Sequence, residues 1–122
     1  MATTGTFANV TPSIAPDYIL YRQGITAADS GPYNSPNHGV VMTGNKTGLV
    51  QVVCGASANP VVKVFWWNAA LGLFVEGYTA ITSLGAGKSF DFAIDTYGRK
   101  FFVEVTGVLT SGVDVYVAYS QF

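Results

Sequence analysis

Short apolar segments alternate with glycine-marked turns from residue 39 to the end of the chain, and this spacing limits the folds open to it. Apolar and β-branched residues recur at every second position, which is the period of a half-buried strand. The predicted strands are Asp17–Arg22, Val40–Thr43, Leu49–Cys54, Val61–Asn68, Leu73–Tyr78, a weak segment near Ala80–Leu84, Ser89–Ile94, Arg99–Thr106 and Val113–Ser120. About eight short strands with such turns suit a sandwich, a barrel or a jelly roll. We predict an all-β chain, an antiparallel β-sandwich of jelly-roll-like form.

The length of 122 residues fits one domain, which we place at residues 17–122, behind an extended N-terminal arm at residues 1–16. Charged residues make up 11% of the chain, against about 25% in a typical soluble domain. The chain has six Lys and Arg residues and seven Asp and Glu residues, so it lacks the clustered positive charges of a nucleic-acid binder. The high apolar content argues against disorder, and no apolar window approaches the roughly 18 residues of a membrane span. We therefore expect neither nucleic acid nor a membrane as a partner.

The outward faces of the predicted strands carry aromatic residues. In the segment Arg99–Thr106, for example, the alternation puts Phe102 on the same side as Lys100 and Glu104. The aromatic residues that share a face with a charged residue are Phe65, Trp67, Phe102 and Tyr116. One exposed apolar residue needs no explanation, but four on strands that look like neighbours predict a covered surface. Two covers fit: another subunit, for which these four are interface candidates, or the chain's own loops and N-terminal arm.

The N-terminal arm and the longest loop are further candidates for contacts. Residues 1–16 carry no charged side chain and hold the isolated apolar residues Phe7, Val10 and Ile14. We expect either an arm that docks on a neighbouring subunit through these three, or a frayed terminus. Residues 24–38 are turn-forming almost throughout and predict the longest loop. Because long loops in compact domains are commonly functional, Tyr33, the large side chain of this loop, is its contact candidate.

Motifs for metal or phosphate binding are weak. Gly85–Ser89 resembles a phosphate loop, but it lacks the earlier glycine and leads into strand-like alternation instead of a helix. Asp91 and Asp95 would lie roughly 13 Å apart along one strand face, too far to share a metal ion. Asp29, in the long loop, lacks the closely spaced acidic partners of calcium loops. We therefore predict no metal and no cofactor.

The sequence patterns that indicate a catalytic site are equally weak. Cys54 is the single cysteine and His38 the single histidine, so a nucleophile–histidine pair would have to use His38. Neither Cys54 nor any serine lies in a nucleophile-elbow pattern, and Cys54 is expected to be a buried small residue at a strand end. We predict no catalytic residue and no enzymatic activity. The N-terminus shows no secretory signal peptide, so we expect a chain that stays in a cytosol or leaves it by another route, such as inside a virus particle.

The aromatic content leaves a second function open. Seven Tyr, eight Phe and two Trp make up 14% of the chain, and aromatic rings on an exposed sheet can stack on sugar rings. Sugar sites set such rings beside polar side chains that bind hydroxyls. The neighbours of Trp66 and Trp67 are mostly apolar, with Lys63 and Asn68 as exceptions. A carbohydrate-binding or adhesin module, with a glycan as partner, is therefore the alternative function.

The pattern of the second half is similar to that of a known group of proteins. Behind an uncharged Thr- and Ala-rich arm it runs through Val62–Trp67, Leu73–Tyr78, Phe90–Ile94, Gly98–Val103 and Val113–Ala118. This resembles small virion structural proteins of tailed bacteriophages, in particular head decoration (cement) proteins. The resemblance implies a homotrimer on the capsid exterior, made in the host cytoplasm, which binds and stabilises the shell of major capsid protein. It brings no catalytic residues, and a tail or fibre component is the competing location.

Overall fold

A computed structural model describes residues 3–42, 44, 47–82 and 84–120. Within these ranges lie nine β-strands and no helix. They are β1 (Thr6–Phe7), β2 (Ser13–Ile14), β3 (Ile19–Ile25), β4 (Thr47–Cys54), β5 (Asn59–Asn68), β6 (Leu73–Thr82), β7 (Phe90–Asp95), β8 (Phe101–Val108) and β9 (Val113–Ser120). The prediction of an all-β chain is confirmed.

The strands form two sheets that enclose one core. The larger sheet has the order β1-β3-β9-β4-β7, with β2 beside β9, and the smaller sheet has the order β6-β5-β8. Strand pairs are antiparallel except for β2 with β9, which is parallel. The antiparallel sandwich is therefore confirmed, while its jelly-roll-like form stays a prediction.

The apolar core takes its residues from the inward faces of both sheets. Val50 and Val52 of β4 are buried together with Val62 and Val64 of β5. The same core takes in, from β8 and β9, Phe101, Val103, Val105, Val113, Val115 and Val117. These are the positions that alternation assigns to one side of each strand, because a pleated strand buries every second side chain.

Two predicted segments differ from the structure. Leu73–Tyr78 and the first part of the weak segment near Ala80–Leu84 form one strand, β6, which ends at Thr82; Ser83 lies outside the described residues, and Leu84 is not in a strand. The register between β5 and β6 shifts twice, each time by one extra residue on β6, and such bulges interrupt the alternation that marks a strand. The predicted strand Val40–Thr43 is reduced to isolated bridges from Val40 to Val10 and Phe101, and Thr43 lies outside the described residues.

The N-terminal segment lies on its own domain. β1 pairs with β3, Val10 bridges to Val40, and β2 pairs with β9. At the start of the described chain, the backbone N–H of Thr3 donates to Oγ1 of Thr26 at 2.8 Å. Residues 3–14 thus lie on the sandwich and make backbone hydrogen bonds within the chain, which differs from both a frayed terminus and an arm on a neighbour. Residues 1 and 2 of the predicted arm lie outside the described ranges.

Candidate interaction surfaces

Residues 26–39, which we call the strap, connect β3 to Val40 and close the free edge of β8. The backbone N–H of Asp29 donates to the carbonyl of Val105 at 3.0 Å, and the N–H of Val105 donates to Oδ2 of Asp29 at 2.7 Å. Further along this edge, Val40 and Phe101 exchange backbone hydrogen bonds of 2.7 and 3.2 Å. Since an open edge strand is a template for pairing with another chain, the strap protects the smaller sheet on this side.

A buried ion pair holds the strap in place. Nη1 and Nη2 of Arg22 donate to the two carboxylate oxygens of Asp29 at 2.6 and 2.7 Å, and the two side chains are 0% and 4% exposed. The same guanidinium donates to the carbonyl of Val103 at 3.0 Å and to that of Thr4 at 2.8 Å. One side chain of β3 therefore joins the strap, β8 and the N-terminal segment. The carboxylate of Asp29, considered above as a calcium ligand, is instead the buried partner of Arg22.

Arg22 faces inward because β3 is bulged. Its register with β9 shifts between Leu20 and Arg22, so that the consecutive residues Tyr21 and Arg22 are both buried. The Cζ atom of Arg22 lies 4.3 Å from the ring centroid of Phe7, a distance typical of a cation–π contact. The guanidinium therefore has an aromatic ring against it as well as a carboxylate.

An aromatic cluster lies between the strap and the smaller sheet. The ring of Tyr33 stacks on Phe102 at a centroid distance of 4.6 Å and meets Phe65 edge-on at 5.0 Å. Its hydroxyl donates to a carboxylate oxygen of Glu104, and its backbone carbonyl accepts from the N–H of Phe74 at 2.8 Å. Burial, followed by the nearby Glu104, raises the pKa of Tyr33 above its ordinary value. Tyr33, predicted as a contact residue of the loop, thus makes its contacts within the chain.

The strap covers part of the outer face of the smaller sheet, which is the second of the two covers that the sequence leaves open. Phe102 is 2% exposed, so this interface candidate is not available to another subunit. Phe7 and Val10, two of the candidates in the N-terminal segment, pack against the core of their own chain. For these three residues an intramolecular contact replaces the predicted intermolecular one, because strap and N-terminal segment fold back onto the domain.

The remaining interface candidates lie on separate surfaces. Phe65 and Trp67 of β5 are half-buried, and Trp67 packs edge-on against Phe74 at a ring distance of 5.0 Å. Tyr116 belongs to β9 in the larger sheet and lies on the opposite side of the sandwich, so the expectation of a single four-residue face is wrong. Ile14 is 51% exposed, and its interface role stays a prediction.

A pocket of about 200 Å³ opens at the aromatic cluster. Phe74 and Phe102, each 2% exposed, lie at its base, and the strap supplies Tyr33, Asn34 and Ser35. The remaining aromatic walls are Phe7 and His38, whose rings lie 4.3 Å apart. Among the described residues that line the pocket, none is Asp, Glu, Lys or Arg. Sequence reasoning singled out Tyr33 but missed the pocket, because no local pattern brings the strap to Phe74.

The outer face of the larger sheet, which we call the large-sheet face, is the second candidate surface. One row of side chains crosses four strands in register, from Leu20 through Tyr116 and Gln51 to Asp91. Leu20 is 40% exposed, and Val53, further along β4, is 43% exposed. Apart from the buried Arg22, the charged residues of the described strands of this sheet are Asp91, Asp95 and Asp114. The large-sheet face therefore exposes apolar side chains, and the exposed charges of its described strands are carboxylates.

Other titratable groups have structural contacts. Cys54 ends β4 and packs partly against the core, and burial raises the pKa of its thiol. The backbone carbonyl of His38 accepts the hydroxyl of Tyr21. In the described ranges, no three His, Cys, Asp or Glu side chains are grouped so that they could hold a metal ion. The described residues form no helix long and apolar enough to cross a membrane.

Comparison with known proteins does not indicate what these surfaces bind. No protein-family model, no curated protein and no solved structure matches the chain. The pocket and the large-sheet face are therefore the features of the molecule that indicate a function.

Proposed function

We propose that this protein is a non-enzymatic structural protein of a phage particle, a capsid decoration or cement protein on the exterior of the shell. It packs against copies of itself as a homotrimer and against the major capsid protein, and the large-sheet face is the contact surface. The observation that supports this proposal is the composition of the large-sheet face: Leu20 and Val53 are exposed on it, and the charged residues of its described strands, apart from the buried Arg22, are the carboxylates Asp91, Asp95 and Asp114.

A protein surface that faces only water ordinarily carries interspersed charges of both signs. On the large-sheet face, Leu20, Val53 and Ala93 are exposed, and Leu49 and Tyr116 beside them are half-buried. Every ~100 Å² of apolar area that another subunit covers contributes about 2.5 kcal/mol before the costs of association. Covering this face with protein is therefore favourable, and a shell protein under internal pressure from packed DNA benefits from such contacts.

The carboxylates of the large-sheet face favour a head-to-tail arrangement. If two copies met through the same large-sheet face, Asp91 and Asp114 of each copy would approach each other, and like charges oppose such a contact. A contact between the large-sheet face of one copy and a different surface of the next is heterologous, and it closes into a ring when the rotation permits, as a trimer requires.

The variant Leu20→Lys tests the proposal. It places a charge at an exposed apolar position of the large-sheet face, and we expect it to reduce the oligomer mass seen by light scattering and binding to phage particles that lack the protein. Leu71→Lys is the matched control, because Leu71 lies in the β5–β6 turn, is 64% exposed and is expected to leave both readouts unchanged.

Two results would contradict the proposal. Equal oligomer mass and equal particle binding for Leu20→Lys and Leu71→Lys would exclude the large-sheet face as the contact surface. If the unchanged chain neither sediments with such particles nor is found on intact particles by immunogold microscopy, the structural role itself is wrong.

A further inference from the structure

The pocket between the strap and the smaller sheet has the dimensions of a site for one ring. Its volume of about 200 Å³ lies below the roughly 300–1,000 Å³ of sites for drug-sized ligands. Phe74 and Phe102 at its base are each 2% exposed, so packing from the protein side fixes their positions. The pocket therefore needs little rearrangement to accept a small ligand, which limits the cost of binding.

The lining of the pocket selects a neutral ligand. Its described lining residues carry no acidic or basic side chain other than the imidazole of His38. The guanidinium of Arg22 lies against the ring of Phe7, but Asp29 pairs with it on both carboxylate oxygens. A phosphate, a carboxylate or an amine would lose hydration in this pocket without gaining a free counter-charge, which is unfavourable.

Aromatic surface and hydrogen-bonding groups occur together in the pocket. The rings of Phe7 and Tyr33 offer apolar surface, while the amide of Asn34, the hydroxyl of Ser35 and the imidazole of His38 offer donors and acceptors. A pyranose combines an apolar C–H face with hydroxyl groups around its edge, and both features find a partner here. We propose that this pocket binds a neutral pyranose sugar.

A proline ring from a partner peptide is similar in size and also packs on aromatic rings. It carries no hydroxyl, so the polar groups of Asn34, Ser35 and His38 would lose water without a replacement hydrogen bond. The polar side of the pocket therefore favours the sugar, and the peptide becomes an alternative outcome of the test.

The test is a titration of the isotope-labelled full chain with glucose, galactose, mannose and N-acetylglucosamine, followed by amide chemical shifts. We expect at least one sugar to give saturable shifts confined to residues around the pocket, with the millimolar affinity typical of a single-ring ligand. Asn34→Ala is expected to weaken this binding about fivefold, the effect of one net hydrogen bond. Asn37→Ala is the matched control, because Asn37 is an exposed asparagine of the same strap that does not line the pocket.

The proposal is overturned if none of the four sugars gives a saturable shift, or if Asn34→Ala and Asn37→Ala bind equally well. A proline dipeptide that shifts the pocket amides while the sugars do not would assign the pocket to a peptide partner and equally overturn it. The outcome is separable from that of the capsid proposal, because Leu20 lies on the other sheet of the sandwich and does not line the pocket.

Discussion

Replacement of Asp29 by alanine tests whether one buried ion pair holds the strap on the sandwich. The substitution removes two hydrogen bonds from Arg22, of 2.6 and 2.7 Å, and a third of 2.7 Å from the backbone N–H of Val105. It leaves the guanidinium of Arg22, which is 0% exposed, without its counter-charge. It also leaves an N–H group on the edge of β8 without that acceptor, which adds to the cost.

The loss of one partner from a buried ion pair costs about 3–5 kcal/mol, because the remaining charge stays out of water. For a chain of 122 residues this corresponds to a decrease of roughly 10–20 °C in Tm. Urea unfolding and thermal unfolding, both followed by circular dichroism, measure the two quantities. Asp95→Ala is the matched control on the exposed side of β7, and we expect its free energy of unfolding to change by less than about 0.5 kcal/mol.

A double variant distinguishes the cost of leaving the Arg22 guanidinium unpaired from the cost of losing the hydrogen bonds of Asp29. Arg22→Met combined with Asp29→Ala removes the unpaired guanidinium, so we expect the double variant to be no less stable than Asp29→Ala alone. A loss below about 1 kcal/mol for Asp29→Ala would refute the reasoning, because it would mean that water reaches the guanidinium or that other contacts hold the strap. A double variant clearly less stable than the single one would refute it as well.

Two further predictions concern alkaline pH and a glycine. Burial raises the pKa of Tyr21 and Tyr33 above the ordinary value of 10.0, so the folded chain keeps protons that the unfolded chain releases. The urea midpoint should therefore fall as pH rises above about 10, and a constant midpoint from about pH 9 to 11 would contradict this. Gly77→Ala should cost about 1–3 kcal/mol in urea unfolding, since the new Cβ would overlap the indole nitrogen of Trp66. Gly31→Ala, whose nearest neighbour would be a ring carbon of Tyr33 at 3.7 Å, should cost less than about 0.5 kcal/mol.

The sequence was sufficient to predict the fold class because the strand signal is local. Each sheet turns one face toward the shared core, so every second residue of β5, β8 and β9 is apolar, and Val62, Val103 and Val115 are buried as that alternation indicates. Glycines between these strands mark the turns. Neither feature requires knowledge of which strands are neighbours, and this is why fold class and strand positions were predictable together.

The two candidate surfaces were less predictable because they depend on non-local pairing. Tyr116 and Phe102 look alike in their strands, yet one lies on the large-sheet face and the other beneath the strap. Strict alternation along β3 would place Arg22 on the outward face, but the bulge in β3 turns this residue inward toward Asp29. A bulge shifts the phase of a strand without a local sequence signal. The basic residue within the apolar segment Asp17–Arg22 was the one visible sign of a buried pair.

The strap explains why the two faces of the sandwich are assigned different roles. Phe65 and Phe102 form an apolar surface of the kind that subunits share, but Tyr33 of the same chain completes it. The side facing the strap therefore needs no second copy, and the pocket left at its surface suits a small ligand. The large-sheet face keeps Leu20 and Val53 exposed, so its apolar area is available to another subunit. Release of the strap would add the smaller sheet to that area, and the Asp29→Ala variant should consequently self-associate more than the unchanged chain does.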